Sequence, residues 1–199
     1  MKCMTLNDRT STLSLLATRR SGRPRDMVPP APSPSELDAM LSIAARTPDH
    51  GMLSPWRFVV VADDQREGLA ELFRAALARE EPDAPPAKVE KAVDLARSAG
   101  ALVVVLSAPT EAHKVPVWEQ QLSCGAAAMN LLWAAHAMGF VGGWITGWQA
   151  YSPTVAEAIC GPGERIAGFV YIGQPGRELE ERPRALLETI VRHWSGLAG

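Results

Sequence analysis

From Gln121 to Phe140 the chain reads LSCGAAAMNLLWAAHAMGF after the glutamine, about five helical turns with no acidic or basic residue other than His136. The full apolar segment from Trp118 to Phe140 predicts one long helix. A surface helix keeps a polar stripe; this one has none, so it needs cover on more than one side. Residues 139 to 147, GFVGGWITG, follow as a glycine-rich turn and a short strand near Gly142 to Thr146.

The remaining pattern divides into short apolar runs and helical repeats. Phe58 to Ala62, Ala101 to Leu106 and Arg165 to Gly173 predict buried strands. Thr12 to Ala17 predicts a short first helix. Ser33, Pro34 and Glu36 supply a cap, a first-turn proline and an N3 glutamate for a second, running through Leu37, Met40, Leu41 and Ala44 and stopping before Pro48. Asp63 or Asp64 is expected to cap a third, with Leu69, Leu72, Phe73, Ala76 and Leu77 inward and its end near Glu80. Lys88 to Ser98 predicts another. Ser152, Pro153 and Thr154 open one that ends at Cys160 and Gly161, and Ala185 to Trp194 is expected to be a terminal amphipathic helix burying Leu186, Leu187, Ile190, Val191 and Trp194.

Between these lie a proline-rich surface linker at 24–34, a polar exposed or lid segment at 80–90, and a C-terminal extension over 177–199. Helices alternating with about four strong strands predict an α/β or α+β domain whose sheet is covered by helices.

With 199 residues the chain suits a single domain, 1–199, or one subunit of an oligomer. A net charge of -2 gives no concentrated basic surface, which argues against a nucleic-acid partner. Cys3, Cys124 and Cys160 have neither paired nor metal-site spacing, and the N-terminus is a poor secretory signal. Glu119, Gln120, Gln121, Asn130 and His136 make the long helix a poor membrane span. A cytoplasmic protein with no membrane association is the expectation.

Candidate chemistry begins in ATRRSGRPR, where Arg19, Arg20, Arg23 and Arg25 surround Ser21. Taken alone this is as readily a solvated charged face as a phosphate clamp, in which guanidinium forks and a hydroxyl share one phosphoryl group. Arg46, Asp49 and His50 gather in the loop ARTPDHGMLSPW before the first strong strand. His113 and Glu119 are six apart, nearly opposite on a helix, and no third ligand is spaced to join them, so no metal site is assigned. There is no GxGxxG between strand and helix, no Walker sequence and no GxSxG elbow, which removes the usual dinucleotide, nucleotide and hydrolase templates. GPG at 161–163 reads as a helix-end turn.

Taken together and in order, Arg19-Arg20-Ser21 with Arg23, the Arg46 to His50 loop, Ser54-Pro55-Trp56-Arg57-Phe58, His113 to Glu119 and Gly139 to Gly147 resemble the nitroreductase family of FMN flavoproteins, in particular its compact bacterial branch of the YdjA type. The resemblance spans roughly residues 12–176. It implies an α+β, three-layer α/β/α fold with a mixed, mainly antiparallel sheet. It also implies a homodimer with two FMN sites, each built from both chains.

On that pattern Arg19, Arg20 and Ser21, helped by Arg23, hold the phosphate and ribityl end of FMN. Arg46 and His50 are flavin contacts, Trp144, Ile145 and Thr146 lie beside the isoalloxazine, and residues 134–139 are linked to the nicotinamide dinucleotide. Arg177 is a further candidate on the phosphate. The implied activity is hydride transfer from NADH or NADPH through flavin N5 to a nitroaromatic, quinone or related acceptor. The flavin carries the electrons, so no side chain is assigned as catalytic. Dehydrogenation, ene-type reduction, or flavin binding with little turnover are the alternatives that keep the same cofactor.

Overall fold

The computed structural model describes residues 5–196. Cys3 and the last three residues of the expected C-terminal extension lie outside that range. In chain order the elements are α1 (Thr12–Thr18), β1 (Met27–Val28), α2 (Pro34–Ala44), β2 (Trp56–Val61), α3 (Arg66–Glu80), α4 (Pro86–Ala96), β3 (Ala101–Ser107), α5 (Val117–Ala137), β4 (Val141–Ile145), α6 (Pro153–Ile159), β5 (Arg165–Pro175) and α7 (Leu187–Ile190).

β5 is the hub of the sheet. It pairs with β3, β4 and β1, and β3 pairs in turn with β2. All four ladders among the described strands are antiparallel, so the parallel pairing that a mixed sheet implies is not formed here.

Helices cover both faces. Leu102, Val104, Phe169 and Tyr171 alternate onto the face packed by Leu69, Phe73 and Leu77 of α3 and Val93 of α4. Val103, Val105, Val170 and Ile172 point the other way, against Met40 of α2 and Ala127, Leu131 and Ala135 of α5. The period-two alternation of β3 and β5 is what lets one strand serve two cores.

The helix starts follow local chemistry. At α2 the Ser33 hydroxyl accepts from the Glu36 amide at 3.3 Å, and the Glu36 carboxylate accepts from the Ser33 amide at 2.8 Å. At α6 Ser152 accepts from the Val155 amide at 3.1 Å. Asp63 and Asp64 do not act as caps: they fall within a single 3₁₀ turn, Asp63–Gln65, that precedes α3.

Three expectations are corrected. The 24–34 linker contains β1, because Met27 and Val28 find partners in Pro175 and Gln174 at the far end of β5. The 80–90 segment is an exposed turn only to Pro85, after which Pro86 starts α4. The terminal helix shrinks to the four residues of α7, and Leu187 and Trp194 are 73% and 84% exposed instead of buried. An amphipathic stripe needs an apolar face to meet, and within this chain both faces of the sheet are already covered.

α5 has such a face to offer. Cys124, Ala127, Leu131 and Ala135 are buried against the sheet, while Trp118 and Leu122 are 66% and 54% exposed. Among the described residues no helix is long and apolar enough to cross a membrane.

Candidate functional site

The arginine-serine segment leaves α1 at Thr18 and runs alongside β4. The Gly22 amide donates to the Gly142 carbonyl at 3.2 Å. A Cβ on Gly143 would stand 2.4 Å from the Gly22 carbonyl oxygen, so the two backbones pass at a distance that admits no side chain there. β4 has β5 on one side only, and among the described residues its other edge is met solely by this Gly22 contact.

Arg20, Ser21, Arg23, Arg177 and Arg182 line a cleft of about 50 Å³ at this point, together with the acidic residues Asp26, Glu178 and Glu180. Asn7 fixes the turn: its side chain accepts from the Arg20 amide at 2.7 Å and donates to the Arg20 carbonyl at 3.0 Å. Arg19 donates to the Ser21 hydroxyl at 2.9 Å and lies 5.8 Å from the centre of the Trp133 ring on α5. Arg20 is buried and donates through Nε to the Glu180 carbonyl at 2.7 Å.

Burial, then the charge of Arg184, lowers the pKa of Arg19 from its ordinary value; burial, then Arg182 and Arg184, does the same to Arg20, while Glu181 opposes both shifts. Cations packed closely enough to disfavour one another's protons form a site that an anion relieves.

In the sequence Arg182 and Arg184 fall only within the C-terminal extension over 177–199. They reach the cluster because the segment after β5 folds back over it, with Arg184 donating to the Arg19 carbonyl at 3.1 Å. Arg177 lies 3.7 Å from Asp26 and 3.2 Å from Glu180. A run of alternating charge carries no sign of that return path, so Asn7, Arg182 and Arg184 had no signal beyond composition.

The loop before β2 is held by the other end of α5. His50 Nδ1 is 2.8 Å from a Glu119 carboxylate oxygen, Ser123 donates to the Pro48 carbonyl at 2.6 Å, and Asn130 donates to the Thr47 hydroxyl at 2.7 Å. Glu119, set against His113 as a metal pair from spacing, thus partners His50, while His113 accepts from the Val115 amide at 3.1 Å. Asp49 accepts from the Leu53 and Ser54 amides and sets the turn. Arg46 is exposed.

Trp133, beneath Arg19, and Glu119, beneath His50, are fourteen residues apart on α5, about 21 Å of helix rise. One chain therefore brings Arg19, Arg20, Ser21 and Arg23 together but leaves His50 toward the opposite end of α5. Trp144 lies between, its ring tip 4.0 Å from where a Cβ on Gly125 would stand. Ile145 is partly buried against the core, and Thr146 is partly buried just beyond the end of β4.

The profile of the Nitroreductase family matches residues 16–174. The chain is 38% identical over 169 residues to YdjA of Escherichia coli strain K12, covering 82% of this chain and 87% of that protein. A Haemophilus influenzae relative is 37% identical over 180 residues, 89% and 95% of the two chains. Among solved structures, a nitroreductase-like protein from Bacillus cereus superposes with a TM-score of 0.81 at 23% identity, covering 94% and 97%. A Bacteroides fragilis nitroreductase solved with bound FMN gives a TM-score of 0.66 at 22% identity, covering 87% and 94%. The family profile spans the arginine-serine turn, the His50 loop, α5 and β4, and this chain belongs to the Nitroreductase family.

Proposed function

We propose that this chain is an FMN-dependent NAD(P)H oxidoreductase that works as a homodimer, passing one hydride equivalent, two electrons with a proton, to a nitroaromatic, quinone or related small acceptor. The observation that carries this is the pairing of a cationic cleft with an unpaired strand edge. Arg20, Ser21, Arg23 and Arg177 line a site suited to a phosphate. Beside it, β4 beyond Gly142 has, on the edge away from β5, backbone donors and acceptors that no other strand among the described residues takes up.

A ligand with a phosphate at one end and a flat polar edge at the other suits that arrangement, and FMN has both. Its phosphate and ribityl end falls to Arg19, Arg20 and Ser21, with Arg23 and Arg177 adding charge. Trp144, Ile145 and Thr146 flank the ring. Bound FMN supplies the relay that accepts hydride from NADH or NADPH and passes it on.

The protein's part is to bind and orient. Arg19 is preorganised by Ser21 and Trp133, so little side-chain entropy is lost when an anion arrives. The carbonyl of Glu180 and the side chain of Asn7 fix Arg20 in the same way.

Arg46 and His50 enter from the second subunit in this proposal. That accounts for the position of His50 toward the far end of α5, and for Trp118 and Leu122 being exposed on a helix otherwise built for burial. Relatives whose names propose NAD(P)H nitroreduction, and a Vibrio harveyi NADPH:FMN oxidoreductase of the same fold solved with NAD+, support the choice of partners.

The test is the visible spectrum of the purified protein, followed by anaerobic addition of NADH and then NADPH. Flavin bands that bleach with either nucleotide and return on adding a nitroarene or quinone are expected. No flavin bands after FMN is added and excess removed would overturn the proposal.

A further inference from the structure

Trp144 is held with more care than a core residue needs. A Cβ on Gly168 would lie 2.0 Å from its Nε1, so the indole rests directly on the β5 backbone, a seat that only glycine at 168 leaves open. β5 carries an irregularity here: Val105 pairs with Gly168 and Leu106 with Ile166, leaving Ala167 as an extra residue. The carbonyl of that residue accepts from Trp144 Nε1 at 3.1 Å. Despite this fixed seat the indole is 37% exposed.

It faces a groove of about 340 Å³ between α5 and the start of β5, lined by Ser107, Gln121, Cys124, Trp144, Tyr151 and Arg165 among others. Arg165 is its only charged side chain and, among the described residues, makes no ion pair. The adjacent carboxylate, Glu164, is occupied by the Gly161 amide at 2.7 Å and Arg57 at 3.9 Å. Cys124 is buried and its thiol approaches the Leu106 carbonyl at 3.6 Å, so the floor offers no exposed nucleophile.

We propose that this groove is the acceptor subsite and selects a planar aromatic acid, its ring stacked on Trp144 and its carboxylate held by Arg165. This takes the electron-acceptor role from the proposed function and adds the substrate class. Arg165 starts three residues along β5 from Gly168, about 10 Å, a span that a single ring with its acid group and the arginine side chain bridge. A fixed aromatic face gives affinity for any flat ring, whereas a lone guanidinium gives preference for a carboxylate through a paired, charge-assisted contact. Gln121, Ser107 and Tyr151 offer polar contacts without a competing negative charge.

The experiment is calorimetric titration of the purified full chain, saturated with FMN and separately as isolated, with 4-nitrobenzoate and with 4-nitrobenzamide, which differ in charge but hardly in shape. The wild type is expected to bind the acid at least about tenfold more tightly. Arg165→Gln should erase that preference by weakening the acid alone, Arg165→Lys should restore part of it, and Trp144→Leu should weaken both probes together. Equal affinities in the wild type, binding of neither probe, or a preference that survives in Arg165→Gln would overturn the proposal. Binding is read without turnover: a flavin that bleaches with NAD(P)H but shows no preference for the acid sinks only the subsite, and an acid preference in a protein that takes up no flavin sinks only the oxidoreductase.

Discussion

The Gly22 amide bonds the Gly142 carbonyl at 3.2 Å, and through that contact the arginine-serine turn becomes a wall of the same site as the glycine-rich strand 120 residues later.

Gly143→Ala tests that contact. The new methyl would meet the Gly22 carbonyl oxygen at 2.4 Å, a backbone atom that cannot rotate away. A loss of about 1–3 kcal/mol in denaturant unfolding is expected, typical of overpacking. FMN affinity should fall with it, because Ser21 moves with Gly22.

Arg19→Ala and Ser21→Ala separate binding from folding. Each removes a partner of the proposed phosphate, and hydrogen bonds to charged groups are worth about 1.5–3 kcal/mol. FMN titration should show affinity falling by about tenfold or more in each, with the larger loss for Arg19. Urea midpoints should move little. Unchanged affinity in both variants would remove the clamp.

His136 gives the fold a pH dependence. It is fully buried in α5, neither ring nitrogen makes a well-formed hydrogen bond among the described residues, and burial, with the charge of Arg19 adding to it and the Phe140 backbone opposing, pushes its pKa from 6.5 down to about 4. Above 6.5 it is neutral in both folded and unfolded chains and contributes no slope. Between 6.5 and 4 the unfolded chain takes up a proton that the folded chain refuses, so stability falls as pH falls, by up to roughly 3 kcal/mol, and levels off below 4. Urea unfolding at several pH values in that window should show the loss in the wild type and a shallower one in His136→Leu.

The C-terminal segment gives a test of assembly. Leu186, Leu187, Ile190, Val191 and Trp194 are exposed in the chain, so deleting residues 185–199 should leave the monomer core and its unfolding midpoint at low concentration nearly unchanged. If these side chains cover a second subunit, light scattering should show the deleted form dissociating at concentrations where the full chain is dimeric. A full chain that is monomeric at all concentrations would overturn the homodimer.

The parts of the fold legible in sequence were those decided locally. The Ser33–Glu36 capping box, the Ser152 cap, the apolar runs of β3 and β5 and the unbroken small-residue helix α5 each carry their own signal within a few residues, and each forms close to where the pattern places it. The arginine-serine cluster was legible as composition, whereas Arg177, which lines the same cleft, was suggested only by the family resemblance.

Elsewhere the outcome depended on partners far along the chain. β1 exists because β5 is long enough to reach Met27 and Val28. Ala185 to Trp194 has helical period but no surface left within the chain to bury it, so four residues of helix remain. Glu119 went to His50, 69 positions away, and not to the histidine nearer in sequence. Arg182 and Arg184 joined the cationic cluster only because the strand before them turns the chain back over it.

By itself, then, the sequence determined the long helices and the central strands, which of their faces are apolar, and that a dense cationic turn and a glycine-rich strand both exist. Backbone propensity, caps and hydrophobic period act over one or two turns and need no knowledge of the rest. Only the tertiary structure decided that Gly22 meets Gly142, that the edge of the Trp144 indole seats on Gly168, and that His50 sits at the Glu119 end of α5, about 21 Å along the helix from the Trp133 beneath Arg19. Those are contacts between surfaces, and which surfaces meet is settled by the packing of the whole domain.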